Sequence, residues 1–110
     1  MGAISIALPP ISVGGKSDRA LEIAVRHADG WHAPGMEPGE FAALARRLDR
    51  ACDEAGRPPL TKSVQLRTTD LGDPREQVER FAEAGATTAV FLLDTERGPD
   101  SVRRLAEEVL

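Results

Sequence analysis

The apolar positions of the chain follow two spacings in turn, and this alternation predicts four strands, each followed by a helix. Apolar residues recur three and four positions apart, as on one face of a helix, in four stretches. The longest of these runs from Pro38 to Gly56. The segments before the four stretches are short and either apolar or alternating: 10–14, 29–33, 62–69 and 88–93. Strands and helices joined by short connections predict an α/β fold with a parallel sheet and right-handed crossovers.

The third and fourth predicted strands differ in polarity. In the third, apolar Val64 and Leu66 alternate with polar Ser63, Gln65 and Arg67. Neighbouring side chains of a strand point to opposite faces, so one face of this strand is polar or lines a cavity. If that face lines a lumen, Arg67 is a candidate anion-binding residue, and a solvated arginine is the alternative. The fourth strand is apolar throughout, which predicts burial on both faces.

Three helix starts are marked by capping residues. Ser17 is a suitable N-cap for the first helix, and Pro38 suits the first turn of the second. The third helix has the clearest start, with Asp73 as the cap, Pro74 at the first position and Glu76 completing a capping box. These signals place the helices directly after their strands.

Composition narrows the class of protein. The chain has 110 residues, which suits a single domain over 1–110. Its net charge of −4 argues against a non-specific nucleic-acid partner. No apolar run approaches the roughly 20 residues of a membrane span, and the first residues lack the basic start of a secretory signal. The single cysteine, Cys52, excludes an internal disulfide and is expected to be a small buried apolar residue. We therefore expect a cytoplasmic protein without a membrane partner.

The turn between the first strand and its helix is the candidate binding site. Gly14 and Gly15 let a ligand approach the backbone closely, and the helix after them directs free N–H groups and its positive dipole end to the same place. Gly14, Gly15, Lys16 and Ser17 are therefore candidate phosphate-binding residues. A nucleotide triphosphate P-loop is excluded, because position 10 is Pro10 where that motif needs glycine. The alternative is a tight turn without a ligand.

The remaining polar and aromatic candidates have structural interpretations. His27 lies near the end of the first helix, where a cation offsets the dipole. Trp31 is expected in the core, with a wall of a ligand pocket as the alternative. His32, after it, is expected to be a partly exposed loop histidine, with a catalytic or cofactor contact as the alternative. Asp94 either caps the turn after the fourth strand or belongs to a site. Neither histidine has a second ligand at metal spacing, so no metal site is expected.

Several motifs in combination resemble a known family. They are the segment 9–15, the segment 28–31 after the first helix, the helix after Pro38, the segment 54–58, and the segment 83–86 leading into an apolar strand. Together they resemble the C-terminal half of the bacterial luciferase-like monooxygenases, and most closely the branch that uses the deazaflavin coenzyme F420. The resemblance extends over nearly the whole chain from Pro9.

The resemblance implies a fold and a chemistry, and it limits what a single copy of the chain can catalyse. The family fold is a (β/α)8 barrel, of which this chain would form half. Family members use F420 or FMN in oxidoreductase and monooxygenase reactions. The turn at Gly14 and Gly15, with the backbone at Lys16 and Ser17, would lie near the cofactor phosphate. The half that is not represented supplies much of the ring pocket and of the substrate contacts, so we do not expect catalysis by a single copy.

A half-barrel leaves two edge strands and one sheet face without cover. Self-association, four strands plus four, is the solution that we expect. A partner half-barrel or an open sheet with helices on both faces are the alternatives. Two functions follow: part of an oxidoreductase, or a non-catalytic binding or assembly module for a small-molecule ligand. The chain is also consistent with a piece of a longer protein.

Overall fold

Strands and helices alternate from one end of the chain to the other. The computed structural model describes residues 8–67, 73–93 and 99–109. The elements in chain order are β1 (Ser12–Gly14), α1 (Asp18–His27), β2 (Gly30–Ala33), α2 (Pro38–Glu54), β3 (Thr61–Arg67), α3 (Pro74–Glu83), β4 (Thr88–Leu92) and α4 (Pro99–Val109). The four predicted strand–helix units are confirmed, with bounds that differ by one to a few residues. The interpretation of Asp94 falls outside the described residues.

The four strands form one parallel sheet in the order β1-β2-β3-β4. Because each right-handed crossover moves one strand further in the same direction, the three connecting helices, α1 to α3, lie on the same face of the sheet, and α4 contacts α3. This is the arrangement of half of a (β/α)8 barrel, as predicted. It also excludes the alternative in which helices cover both faces.

The face under the helices, called the covered face, holds the core. Its side chains are Val13, Trp31, Ala33, Lys62, Val64, Leu66, Ala89 and Phe91. The ring of Phe41 in α2 lies 5.4 Å from that of Trp31 and 5.5 Å, edge to face, from that of Phe81 in α3. All three rings are buried, which confirms Trp31 as a core residue. Cys52 is buried in the same cluster, also as expected.

The opposite face, called the open face, has no described element packed over it. Its residues are Ser12, Gly14, Gly30, His32, Thr61, Ser63, Gln65, Arg67, Thr88, Val90 and Leu92. Val90 and Leu92 are 39% and 42% exposed. The prediction that β4 is buried on both faces is therefore wrong for this chain, because an apolar sequence does not reveal whether a second layer is present.

The helix caps form as predicted, with one exception. The Ser17 hydroxyl accepts a hydrogen bond from the backbone N–H of Ala20 at 3.1 Å. The carboxylate of Asp73 accepts from the backbone N–H groups of Arg75 and Glu76. The reciprocal half of the capping box is wrong, because the Glu76 carboxylate accepts instead from Arg80, one turn further along α3, at 2.7 Å.

The start of β2 is fixed between β1 and β3 by two adjacent residues. A Cβ at Gly30 would lie 2.5 Å from the Thr61 hydroxyl and 2.7 Å from the Ser12 hydroxyl, so a side chain there would force both hydroxyls to move. The Asp29 carboxylate accepts a hydrogen bond from the backbone N–H of Ile11 at 2.9 Å. Gly30 therefore allows β1, β2 and β3 to approach closely at the amino end of the open face, and Asp29 fixes the chain just before β1.

Candidate functional site

The carboxyl ends of the strands lie along one edge of the sheet. Gly14, Ala33, Arg67 and Leu92 are the last residues of β1 to β4. In parallel α/β folds, sites form at this edge because the loops after the strands converge there. The turn singled out from the sequence follows β1 and so lies at this edge.

The turn after β1 is held by two bonds from β2. The indole N–H of Trp31 donates to the carbonyl oxygen of Gly15 at 2.7 Å. The backbone N–H of Gly15 donates to the carbonyl oxygen of His32 at 3.3 Å. Gly15 has a φ of +119°, a conformation that residues with a side chain rarely adopt. A Cβ there would also lie 3.2 Å from that of Ala20. The turn is therefore rigidly placed and depends on glycine.

The side chains next to the turn are already engaged. The hydroxyl of Ser17 caps α1, and the ammonium group of Lys16 lies 3.2 Å from a carboxylate oxygen of Glu40. The carboxylate of Asp18 pairs with Arg47 at 2.9 Å. What the turn offers to an anion is the backbone N–H groups of Asp18 and Arg19 at the start of α1, which have no acceptor within the helix, since the N–H of Ala20 already donates to Ser17. Lys16 can add its charge if the anion displaces Glu40.

His32 lies in β2, so the prediction that it is a loop residue is wrong. Its ring is half-buried on the open face and lies between two side chains of β3. Nδ1 is 2.8 Å from the hydroxyl oxygen of Ser63, and Nε2 is 3.4 Å from the side-chain oxygen of Gln65. His27, by contrast, is exposed in the last turn of α1, as expected.

The contacts of His32 could not be read from the sequence. The alternation of β3 does indicate that Ser63, Gln65 and Arg67 share a face. The register that places His32 opposite Ser63 is a tertiary property, because it depends on how β2 and β3 pair. The structure thus places His32 against the polar row of β3, whereas the sequence indicated only the row itself.

A cleft opens at the carboxyl ends of β2 and β3. Its volume is about 690 Å³, and it is lined by the loop and helix start at 34–40, by the end of β3 at 65–67, and by Gln77 of α3. Clefts of roughly 300–1,000 Å³ hold small organic ligands. Gln65 and Arg67 therefore lie both on the open face and in the wall of this cleft.

A metal site and a membrane-spanning helix find no support in the described ranges. Within 8–67, 73–93 and 99–109, no three His, Cys, Asp or Glu side chains come together in a way that could hold a metal ion. Over the same ranges, no helix combines the length and the apolar character that crossing a membrane requires.

Comparison with known proteins is consistent with the fold. Residues 2–107 match the family model of luciferase-like monooxygenases. Uncharacterised proteins of Mycobacterium bovis and Mycobacterium tuberculosis are 36% identical to the chain over 95 residues. The match covers 84% of this chain but 32% of each relative. The chain therefore spans about a third of the length of the curated relatives that it matches.

Proposed function

Because the chain belongs to the luciferase-like monooxygenase family, we propose that it forms half of an oxidoreductase barrel that binds FMN or F420 by its phosphate. When bound, the flavin or deazaflavin ring supplies the redox chemistry. The residues of this chain bind and orient the cofactor at the carboxyl edge of the sheet. The observation that carries this proposal is the fixed glycine turn before α1.

The geometry of the turn supports phosphate binding in two ways. Trp31 and His32 hold Gly15 from the β2 side, so little further ordering of the backbone is needed when a ligand binds. The N–H groups at the start of α1 and the helix dipole attract a negative charge to the same place. Both features belong to the backbone, and the N–H groups of Asp18 and Arg19 stay available although that of Ala20 donates to the Ser17 hydroxyl.

The charges around the turn set a modest affinity. Lys16 favours a phosphate, while Asp18 in the first turn of α1 disfavours it. Asp18 is partly neutralised by Arg47, and Lys16 must leave Glu40 to reach an anion. Because all four side chains are largely exposed, these exchanges involve small free energies.

A second copy of the chain is the cover that we propose for the open face. The two outer strands, β1 and β4, are both parallel edges, and a two-fold rotation brings β4 of each copy beside β1 of the other. Four strands plus four then form a closed, eight-stranded barrel without edges. Closure would place Val90 and Leu92, now partly exposed, inside the barrel.

Replacement of Gly15 tests the cofactor site. Wild-type protein is titrated with FMN and with F420, and binding is followed by fluorescence. Gly15→Val should weaken binding of the cofactor by about tenfold or more, because the new side chain opposes the φ of the turn and contacts Ala20. Gly85→Val is the matched control: Gly85 has a φ of +111°, an alanine Cβ at 3.6 Å, and lies at the end of α3.

A charge reversal tests the same site without backbone strain. Lys16→Glu should weaken cofactor binding, whereas Arg46→Glu, an equal change in net charge at an exposed position of α2, should not. Absence of binding of FMN and of F420 to the wild-type protein at high micromolar concentration would contradict the proposal. It would favour the non-catalytic module instead. Equal binding by wild type and Gly15→Val would remove the turn from the site.

A further inference from the structure

The open face carries a single charged side chain among its described residues, and that charge is positive. The other polar groups there are hydroxyls, the His32 ring and the Gln65 amide, while Arg67 ends the row at the carboxyl edge. No acidic side chain from β1 to β4 points to this face, although the chain as a whole has a net charge of −4. This distribution favours an anionic ligand.

The polar row presents donors to such a ligand. The ring N–H of His32 donates to the Gln65 oxygen when it resides on Nε2, which leaves the Gln65 amide NH2 available to donate. Arg67 forms no ion pair with any described residue, and its guanidinium group can donate two parallel hydrogen bonds to a carboxylate. Gln65 and Arg67 are two residues apart on the same face, so both can reach one ligand.

An apolar row lies directly beside the polar one. In the pairing of β3 with β4, Val90 is opposite Gln65 and Leu92 is opposite Arg67. Both apolar side chains are about two-fifths exposed. A ligand whose anionic group lies on Arg67 can therefore pack its hydrocarbon part against Val90 and Leu92. The two rows together match an amphipathic molecule better than a fully polar one.

The cleft that begins at Gln65 and Arg67 bears on the charge of this ligand. Gln65 and Arg67 line the cleft of about 690 Å³, and Glu37 and Glu40 line it as well. Glu40 is paired with Lys16, so Glu37 is the unpaired acidic side chain among the described lining residues, and it opposes a second negative charge on the ligand. We propose that the carboxyl end of the open face binds a small amphipathic organic monoanion, with its carboxylate on Arg67 and Gln65. That this ligand is the substrate of the barrel rests on the proposed function. That the ligand binds here does not.

Benzoate, with benzamide as its neutral isostere, is the probe that tests this site. The chain has two histidines, so their ring signals in NMR spectra report on two places only. Benzoate should shift the His32 signals in a saturable way and leave those of exposed His27 unchanged. Benzamide should bind at least about tenfold more weakly than benzoate, because it lacks the charge that pairs with Arg67.

A matched pair of arginine variants makes the test decisive. Arg67→Gln should weaken benzoate binding by about tenfold or more, whereas Arg46→Gln, at an exposed position of α2, should leave it unchanged. Thermal unfolding of both variants shows that each is folded. No saturable shift of His32, or equal binding by wild type and Arg67→Gln, would overturn the inference.

Cofactor titration of the same sample separates the two proposals. Binding of FMN or F420 without benzoate binding would overturn the ligand site and leave the cofactor proposal standing. Benzoate binding that depends on Arg67, without cofactor binding, would support the ligand site and contradict the cofactor proposal.

Discussion

The covered and open faces belong to the same four strands but differ in what they contain. On the covered face, Trp31, Val64 and Leu66 are buried under α1 to α3 and form part of one apolar cluster. On the open face, His32, Ser63 and Gln65 are half-buried and hydrogen-bonded to one another across two strands. The stability of the fold therefore comes mainly from the covered face, while the groups able to bind a ligand lie on the other.

Each face carries a basic residue of β3, and the two differ in burial and in whether they are paired with an acidic side chain. Lys62 on the covered face is buried, and its ammonium group lies 2.6 Å from an Asp49 carboxylate oxygen and 3.0 Å from the Leu60 carbonyl oxygen. Arg67 on the open face is exposed, with no ion pair among the described residues. A buried charge requires a partner in the protein, whereas an exposed one remains available for a ligand.

The largest effect is expected from Phe41→Ala on the covered side. Phe41 is fully buried and contacts the rings of both Trp31 and Phe81. The substitution should lower the free energy of unfolding by about 3–5 kcal/mol, because it leaves a cavity in the core. Urea denaturation followed by circular dichroism measures the change. Val90→Ala is the control on the open face. If Phe41→Ala lowers the free energy of unfolding no more than this control does, the contrast between the faces is contradicted.

A smaller loss is expected from Asp49→Ala. It leaves the buried ammonium group of Lys62 with the Leu60 carbonyl oxygen as its remaining partner, and should lower the free energy of unfolding by about 2 kcal/mol. Asp49 is half exposed, which keeps the loss below that of a fully buried pair. In the double variant with Lys62→Met the loss should largely disappear, because no buried charge remains. Equal stability of the single and double variants in urea would show that the pair has no such role.

The smallest effect on folding is expected from Val90→Asp. Because Val90 is 39% exposed in the single chain, its replacement should change the free energy of unfolding at low concentration by about 0.5 kcal/mol or less. The same change should weaken self-association, since barrel closure would bury the new carboxylate. Light scattering on gel filtration, over a range of concentrations, measures the assembly. Undiminished association of Val90→Asp would place the contact between copies elsewhere.

Local features of the sequence were sufficient for the element order and the helix starts. Ser17 and Asp73 cap the helices that they were expected to cap, because a cap depends on hydrogen bonds within a few residues. Gly85 ends α3 with a positive φ for the same local reason. The turn at Gly15 was also located correctly, although its bonds to Trp31 and His32 were not foreseen. Binding of phosphate at this turn stays a prediction.

What depended on pairing between distant segments could not be predicted. The apolar run of β4 has the same appearance whether a strand is covered on one face or on two, so the exposure of Val90 was missed. Gly30 is crowded only because Ser12 and Thr61 lie beside it in the sheet, where a Cβ would displace their hydroxyls. The Lys62–Asp49 pair joins a strand to the helix before it, and nothing in the spacing of the two residues predicts the contact.

The sequence by itself determined the four strand–helix units and the two-faced character of β3, since capping and side-chain alternation act over a few residues. The tertiary structure alone decided the rest. Sequential strand order placed the connecting helices α1 to α3 on one side, and the register of β2 on β3 set His32 against Ser63 and Gln65. Such contacts follow from which segments pair, and pairing is governed by burial over the whole sheet rather than by neighbouring residues.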